Sequence, residues 1–232
     1  TDCDFYATAF KTVAADWARA DLLPFAPGLY EGEGIRETLL PQLFGHLNGR
    51  PMLQGFMWKH ILRRGIVMAN GIRFHEPLKP YEDQLFNIDV MKRSRRVCID
   101  DSVIYNYIVN PQSITAKLVE HFDAEAEWQR IKGLYEQKLR RSENEAEHTA
   151  LCNQAVWYIY IMALNMVKCK ALSHGESLRL LRRFAEGDTI REICRDARVC
   201  GKLQNFVRLC MYRGWHGLLL RTIGAALKLR RS

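Results

Sequence analysis

Residues 71–86 read Gly71-Ile72-Arg73-Phe74-His75-Glu76-Pro77-Leu78-Lys79-Pro80-Tyr81-Glu82-Asp83-Gln84-Leu85-Phe86. Gly71, Pro77 and Pro80 interrupt regular structure, so the first part of the stretch is a loop. After Pro80 the apolar residues Leu85, Ile88, Val90 and Met91 recur at helical spacing. Glu82 and Asp83 therefore fall in the first turn of a helix, where the helix dipole favours carboxylates. That field is expected to keep Asp83 ionised, as a general base must be. An acidic first turn also marks ordinary helix starts, and on spacing alone that plainer reading stands beside the catalytic one.

The surrounding residues add weight to the catalytic reading. Downstream come Val97-Cys98-Ile99, then Tyr105-Asn106-Tyr107 and Ser113-Ile114-Thr115; upstream lies Gly55-Phe56-Met57-Trp58-Lys59-His60-Ile61-Leu62-Arg63-Arg64. In order and spacing, residues 1–120 resemble the acceptor side of bacterial family 2 glycosyltransferases, inverting enzymes of the GT-A fold. The matching elements are the Arg73-Phe74 loop, the Glu82-Asp83 pair with Phe86 three positions on, a short strand, a Tyr-x-Tyr strand and a Ser-Ile-Thr turn. The "W-K-x-x-x-R-R" turn beside the acceptor matches Trp58, Lys59, Arg63 and Arg64.

The resemblance implies a reaction and its participants. A sugar passes from a nucleotide-sugar donor to a glycan or lipid-linked acceptor, in cell-surface polysaccharide synthesis. Asp83 takes the place of the family's catalytic base, and Glu82 orients the loop or bonds a sugar hydroxyl. Trp58 is a candidate to stack on a sugar face, with a core tryptophan as the plain alternative. Lys59, Arg63, Arg64 and Arg73 are candidates for phosphate contacts, and His75 for a place in the cleft. Tyr105 and Tyr107 share one strand face and read as packing. The family's donor half carries an Asp-x-Asp motif that holds Mg²⁺ or Mn²⁺ on the leaving diphosphate. No βαβ pattern of that half is read in these 232 residues. Asp2-Cys3-Asp4 has the letters of the motif but no preceding strand, so the metal ligands are expected mostly outside this chain.

The expected fold is α+β and mostly α. Residues 1–115 form the C-terminal portion of a GT-A domain with a few short strands. Residues 116–232 form an all-helical extension. Strands are expected at 3–10, 97–99 and 105–109, an extended stretch at 52–58, and a loop at 23–28. Helices are expected at 33–45 and, short and basic, at 59–65. Beyond Thr115 everything reads helical, over 117–142, 144–172, 175–186, 188–197, 201–212 and 214–230.

Net charge is +8, and the excess is local: Glu176 to Ser232 holds thirteen Lys/Arg against five Asp/Glu. Such a tail suits an anionic partner or simply a solvated basic face. Residues 215–231 are able to form an amphipathic helix, with Leu219, Ile223, Ala226 and Leu227 on one side. Such a helix either packs on the domain or lies on an anionic membrane, at the inner face of the plasma membrane of a cytoplasmic enzyme. The apolar run 155–167 falls short of the roughly 20 residues of a span and reads as a buried core helix. Seven cysteines without C-x-x-C spacing read as reduced thiols, and the scattered histidines argue against zinc.

The rival reading is a basic helical nucleic-acid-binding or regulatory protein. Gly187 to Val199 resembles the start of a helix-turn-helix, with Asp188 or Thr189 as cap. The next helix carries Phe206, Val207, Leu209 and Cys210, which read as buried where base-reading groups are needed. A purely structural helical module is a third reading, and it leaves Tyr81–Thr115 unexplained.

Overall fold

The computed structural model describes residues 2–46, 53, 55–76, 81–110, 112 and 122–229. Pro77, Pro80, the Ser113-Ile114-Thr115 turn, residues 117–121 of the first expected C-terminal helix, and Arg230 and Arg231 lie outside the described residues. The protein is α+β and 58% helical, with a curled sheet. It divides into two compact units, Thr1–His46 with Arg50–Ser113 and Leu47–Gly49 with Ile114–Ser232.

In the first unit, strands β1 (Phe5–Val13) and β5 (Arg96–Ile108) pair in parallel at the centre of the sheet. The other edge of β1 is shared by β2 (Ala18–Asp21), opposite Phe10 to Val13, and β4 (His60–Leu62), opposite Phe5 to Ala7; both are antiparallel. β3 (Gly28–Glu31) runs antiparallel along β5. A π-helical turn, Gly34–Leu39, leads into α1 (Leu40–Phe44). α2 (Arg64–Ala69) follows β4, and α3 (Glu82–Arg93) precedes β5. The core gathers Phe5, Ala7 and Ala9 from β1, Leu39, Leu43 and Phe44, and Leu85, Ile88, Val90 and Met91 from α3.

Three expectations are corrected here. The two strands foreseen at 97–99 and 105–109 are one strand, β5. The polar Asp100-Asp101-Ser102 between them forms an irregularity opposite Thr8 and Ala9, where the register shifts. Asp100 holds it by accepting from Tyr6 Oη and from the Ser102 N–H. The basic helix foreseen at 59–65 begins only at Arg64, because His60–Leu62 pairs with β1 across more than fifty residues of chain. The stretch foreseen as extended around 52–58 contains a 3₁₀ turn at Met57–Lys59. β2 and β3 had no sequence signal, being only four residues long, with most of their residues exposed.

The second unit is helical among its described residues. Its helices are α4 (Ala124–Leu139), α5 (Glu145–Lys168), α6 (His174–Ala185), α7 (Asp188–Asp196), α8 (Lys202–Tyr212) and α9 (His216–Leu229). Asp123 caps α4, Asn144 caps α5, and Ser173 with Glu176 forms a capping box on α6. α7 starts on Gly187 without a side-chain cap, so neither Asp188 nor Thr189 has that role. α5 is the central helix and touches α4, α6, α7, α8 and α9. By length and composition it is able to cross a membrane, yet Ala155, Val156, Ile159, Met162, Ala163 and Met166 are buried within the protein. All seven cysteines are free thiols.

One buried cation sits in this helical core. Lys138 is fully buried on α4, and its Nζ donates to Gln154 Oε1 at 2.5 Å. Burial pushes its amine well below the ordinary lysine range. Below that ordinary range the unfolded chain takes up a proton that the folded chain resists, so this site lowers stability as pH falls. Between pH 7 and pH 10 the wild type is expected to gain stability relative to Lys138→Met. Urea titrations of the two proteins at the two pH values check this.

Candidate functional site

The first turn of α3 carries Glu82 and Asp83, both half-buried, with Tyr81 at the cap position. Across this turn runs the segment Gly55-Phe56-Met57. Gly55 makes the approach possible, since a Cβ there would stand 2.9 Å from the Cα of Gln84. The Met57 N–H then donates to Asp83 Oδ2 at 3.4 Å. One turn further along α3, the buried Asn87 ties the same parts together. Its Nδ2 donates to the carbonyls of Gly55 at 2.8 Å and Asp83 at 2.9 Å. Its Oδ1 accepts from His60 Nδ1 at 3.1 Å, which sets the tautomer of that imidazole.

Burial raises the Asp83 carboxyl above the ordinary aspartate value. The Met57 N–H opposes the rise, and the neighbouring Glu82 charge adds to it. The sequence reading had the helix field keep this group ionised; burial, the largest cause of its shift, acts in the opposite direction. Glu82 Oε2 is a buried oxygen with no partner among the described residues. Buried polar atoms are nearly always paired, so this unpaired carboxylate oxygen beside a half-desolvated aspartate marks the turn as a candidate site.

The other expected site residues scatter. Trp58 lies in a stack of aromatic rings, near-parallel to Phe56 at 5.1 Å, Tyr105 at 4.5 Å and Tyr107 at 5.5 Å. Phe10 meets it edge-on at 4.8 Å. Protein rings therefore occupy much of the indole surface that a sugar would need. Lys59 is 1% exposed, with Nζ 5.7 Å from the ring centroid of Phe10 and 6.0 Å from that of Phe56. Burial pulls its amine down to about 8, against the Asp21 charge. It is a buried cation beneath aromatic rings rather than a surface phosphate ligand. Arg63 pairs with Asp2 and, at 3.0 Å, with Asp4. Arg64, Arg73 and Glu76 are exposed, and His75 is half-buried on the loop before α3. Phe74 of that loop stacks on Phe86 of α3 at 4.3 Å, which anchors the Arg73–His75 stretch to the helix.

Asp2 and Asp4 are engaged elsewhere. Asp4 Oδ2 accepts from the N–H groups of Arg95 and Arg96 at 2.8 and 3.1 Å, and Asp2 pairs with Arg96 at 3.1 Å. Two guanidiniums and two amides thus take the lone pairs a cation would require. Among the described residues no group of His, Cys, Asp and Glu is arranged to hold a metal ion. Asp2 and Asp4, taken up by these partners, therefore do not fit the divalent ion that the resemblance implies.

Asn87 and His60 are the positioning residues that sequence reading missed. Asn87 had a usable signal, standing four residues after Asp83 and so above it on one helix face. Burial keeps His60 neutral, with its pKa pulled down to about 3. Its Nε2 is buried with no partner among the described residues, and its ring packs on Phe5 at 4.7 Å. Tyr105 and Tyr107, read as packing, are 38% and 36% exposed and extend the aromatic stack to the surface.

No family model matches the chain, and neither a curated protein nor a solved structure matches it.

Gly55→Ala forces a methyl group against the α3 backbone. It is expected to destabilise the protein by about 1–3 kcal/mol, read as a shift in the urea midpoint. Gly65→Ala, where a Cβ meets nothing within 4 Å, serves as the control and changes little.

Proposed function

We propose that these 232 residues carry the acceptor half of an inverting family 2 glycosyltransferase of the GT-A fold. The enzyme would move a sugar from a nucleotide-sugar donor to a glycan or lipid-linked acceptor on the cytoplasmic side of the plasma membrane. The observation that carries the reading is the first turn of α3. There a half-desolvated Asp83 stands beside the open carboxylate oxygen of Glu82, held in place by Met57 and Asn87.

In the proposed step the acceptor hydroxyl attacks the anomeric carbon, and the bond from that carbon to the diphosphate oxygen breaks. The hydroxyl proton passes to Asp83. A carboxylate whose pKa is raised above the ordinary value is a stronger base than a free aspartate. Glu82 Oε2 would accept from a second sugar hydroxyl and fix the ring's orientation. The exposed edges of Phe56, Tyr105 and Tyr107 offer apolar surface beside the turn for the face of a pyranose. Arg73, exposed on the loop before α3, remains the candidate for an acceptor phosphate, while Arg64 has no second feature in its favour.

The donor half and its metal ligands would come from residues other than these, so this segment alone is expected to transfer no sugar. The nucleic-acid reading gains little from the helical unit: α8 exposes the apolar Leu203 and Leu209 and the aromatic Tyr212 beside Lys202 and Asn205. Leu209 had been expected in the core.

In the complete enzyme, Asp83→Asn should lower kcat by about 10²- to 10⁴-fold and leave donor binding unchanged. The acid limb of the wild-type kcat profile should fall above the ordinary aspartate value, because activity is lost as pH drops through a raised pKa. Turnover at the wild-type level in Asp83→Asn removes the assignment.

A further inference from the structure

The helical unit ends in an unusually basic stretch. From Ala197 to Ser232 there are eight Lys/Arg and no Asp or Glu. The corner between α8 and α9 lies within it. α8 closes on Gly214 at φ +73, with the Trp215 N–H donating to the Cys210 carbonyl at 2.7 Å and the Gly214 N–H to Met211 at 3.4 Å. This is a Schellman turn, which fixes the corner rigidly. The hydrophobic residue following such a glycine commonly folds back on its own helix. Trp215 instead stays 53% exposed. Tyr212, just before the turn, is 51% exposed, and Leu218, on the first turn of α9, is 49% exposed. Arg213, at the turn, and Arg221, on the second turn of α9, are exposed beside them; Lys202 and Lys228 are exposed at the far ends of α8 and α9.

Of the face of α9 that the sequence had offered to a membrane, Leu219 and Ile223 are buried together with His216 and Leu220, while Leu227 is half-buried and Ala226 exposed.

We infer that the α8–α9 corner is a membrane-docking tip, with Tyr212, Trp215 and Leu218 entering the interface of an anionic bilayer and the surrounding cations contacting lipid headgroups. Tyrosine and tryptophan favour the interfacial zone, where the ring is half apolar and its polar end stays wet. Lysine and arginine near an anionic leaflet are each attracted to its headgroups. The lack of any carboxylate over these residues removes the repulsion that such a surface would otherwise impose. A protein partner is the poorer fit, because three side chains on a rigid corner fall far short of the roughly 1,200 Å² of a stable interface. This inference stands apart from the sugar-transfer reading and survives its failure.

The test is co-sedimentation of the full chain with phosphatidylcholine vesicles, with and without phosphatidylglycerol, at low and high salt. The wild type should bind the anionic vesicles, ignore the neutral ones, and release as salt rises. Tyr212→Ser with Trp215→Ser should weaken binding about tenfold or more, with the thermal midpoint unchanged. Leu218→Glu, on the exposed side of α9, should do the same and serves if the double variant fails to fold. A wild type that ignores phosphatidylglycerol vesicles overturns the inference. So do folded corner variants that bind like the wild type, and so does binding to a duplex oligonucleotide in place of vesicles.

Discussion

The side-chain amide of Asn87 is the contact on which the site depends. From the second turn of α3 it holds the carbonyl of Gly55, the carbonyl of Asp83 and the imidazole of His60 at once. All three bonds lie in or beside the core, where a lost partner leaves a buried polar group unpaired at about 1–3 kcal/mol. Through them β4, the Gly55–Lys59 segment and the start of α3 become one body. The position of the Met57 N–H over Asp83, and thus the environment of that carboxylate, follows from this arrangement.

The aromatic stack has a related origin. The 3₁₀ turn at Met57–Lys59 sets Trp58 against Phe10 of β1 and Tyr105 and Tyr107 of β5, while Lys59 lies under the rings of Phe10 and Phe56. A cation placed there loses solvation, and its amine falls toward neutral pH; the ring faces compensate part of that loss. Lys59 is thus a buried element of the first unit's framework, and Arg63 serves the edge of the sheet through Asp2 and Asp4. Of the six substrate-binding candidates, Arg63, Arg64 and Arg73 are exposed, Trp58 and His75 are half-buried, and Lys59 is buried.

The parts of the fold that local pattern controls were legible. α3, and α5 to α9, follow from apolar periodicity, and the ends of α5 to α9 fall within a few residues of expectation. What the pattern concealed was non-local. Asp100-Asp101-Ser102 looks like a strand break until β1 is alongside to receive it, and His60–Leu62 becomes a strand only because Phe5–Ala7 offers an edge. At the site, the helix start and its acidic pair were readable. The tie through Asn87 and the burial that raises Asp83 were not, because both depend on which segment crosses the helix. At the C-terminus, Trp215 gave no sign of its exposure, since periodicity assigns an aromatic residue beside a helix to the core.

The account rests on a first turn of α3 that is half-desolvated by the Gly55–Met57 segment. The most direct measurement is a carbon-detected NMR titration of the Asp83 carboxyl. The midpoint should lie above that of an ordinary aspartate and fall back toward it in Asn87→Ala, in which the segment is released. A midpoint at or below the ordinary value, unchanged in Asn87→Ala, contradicts the account.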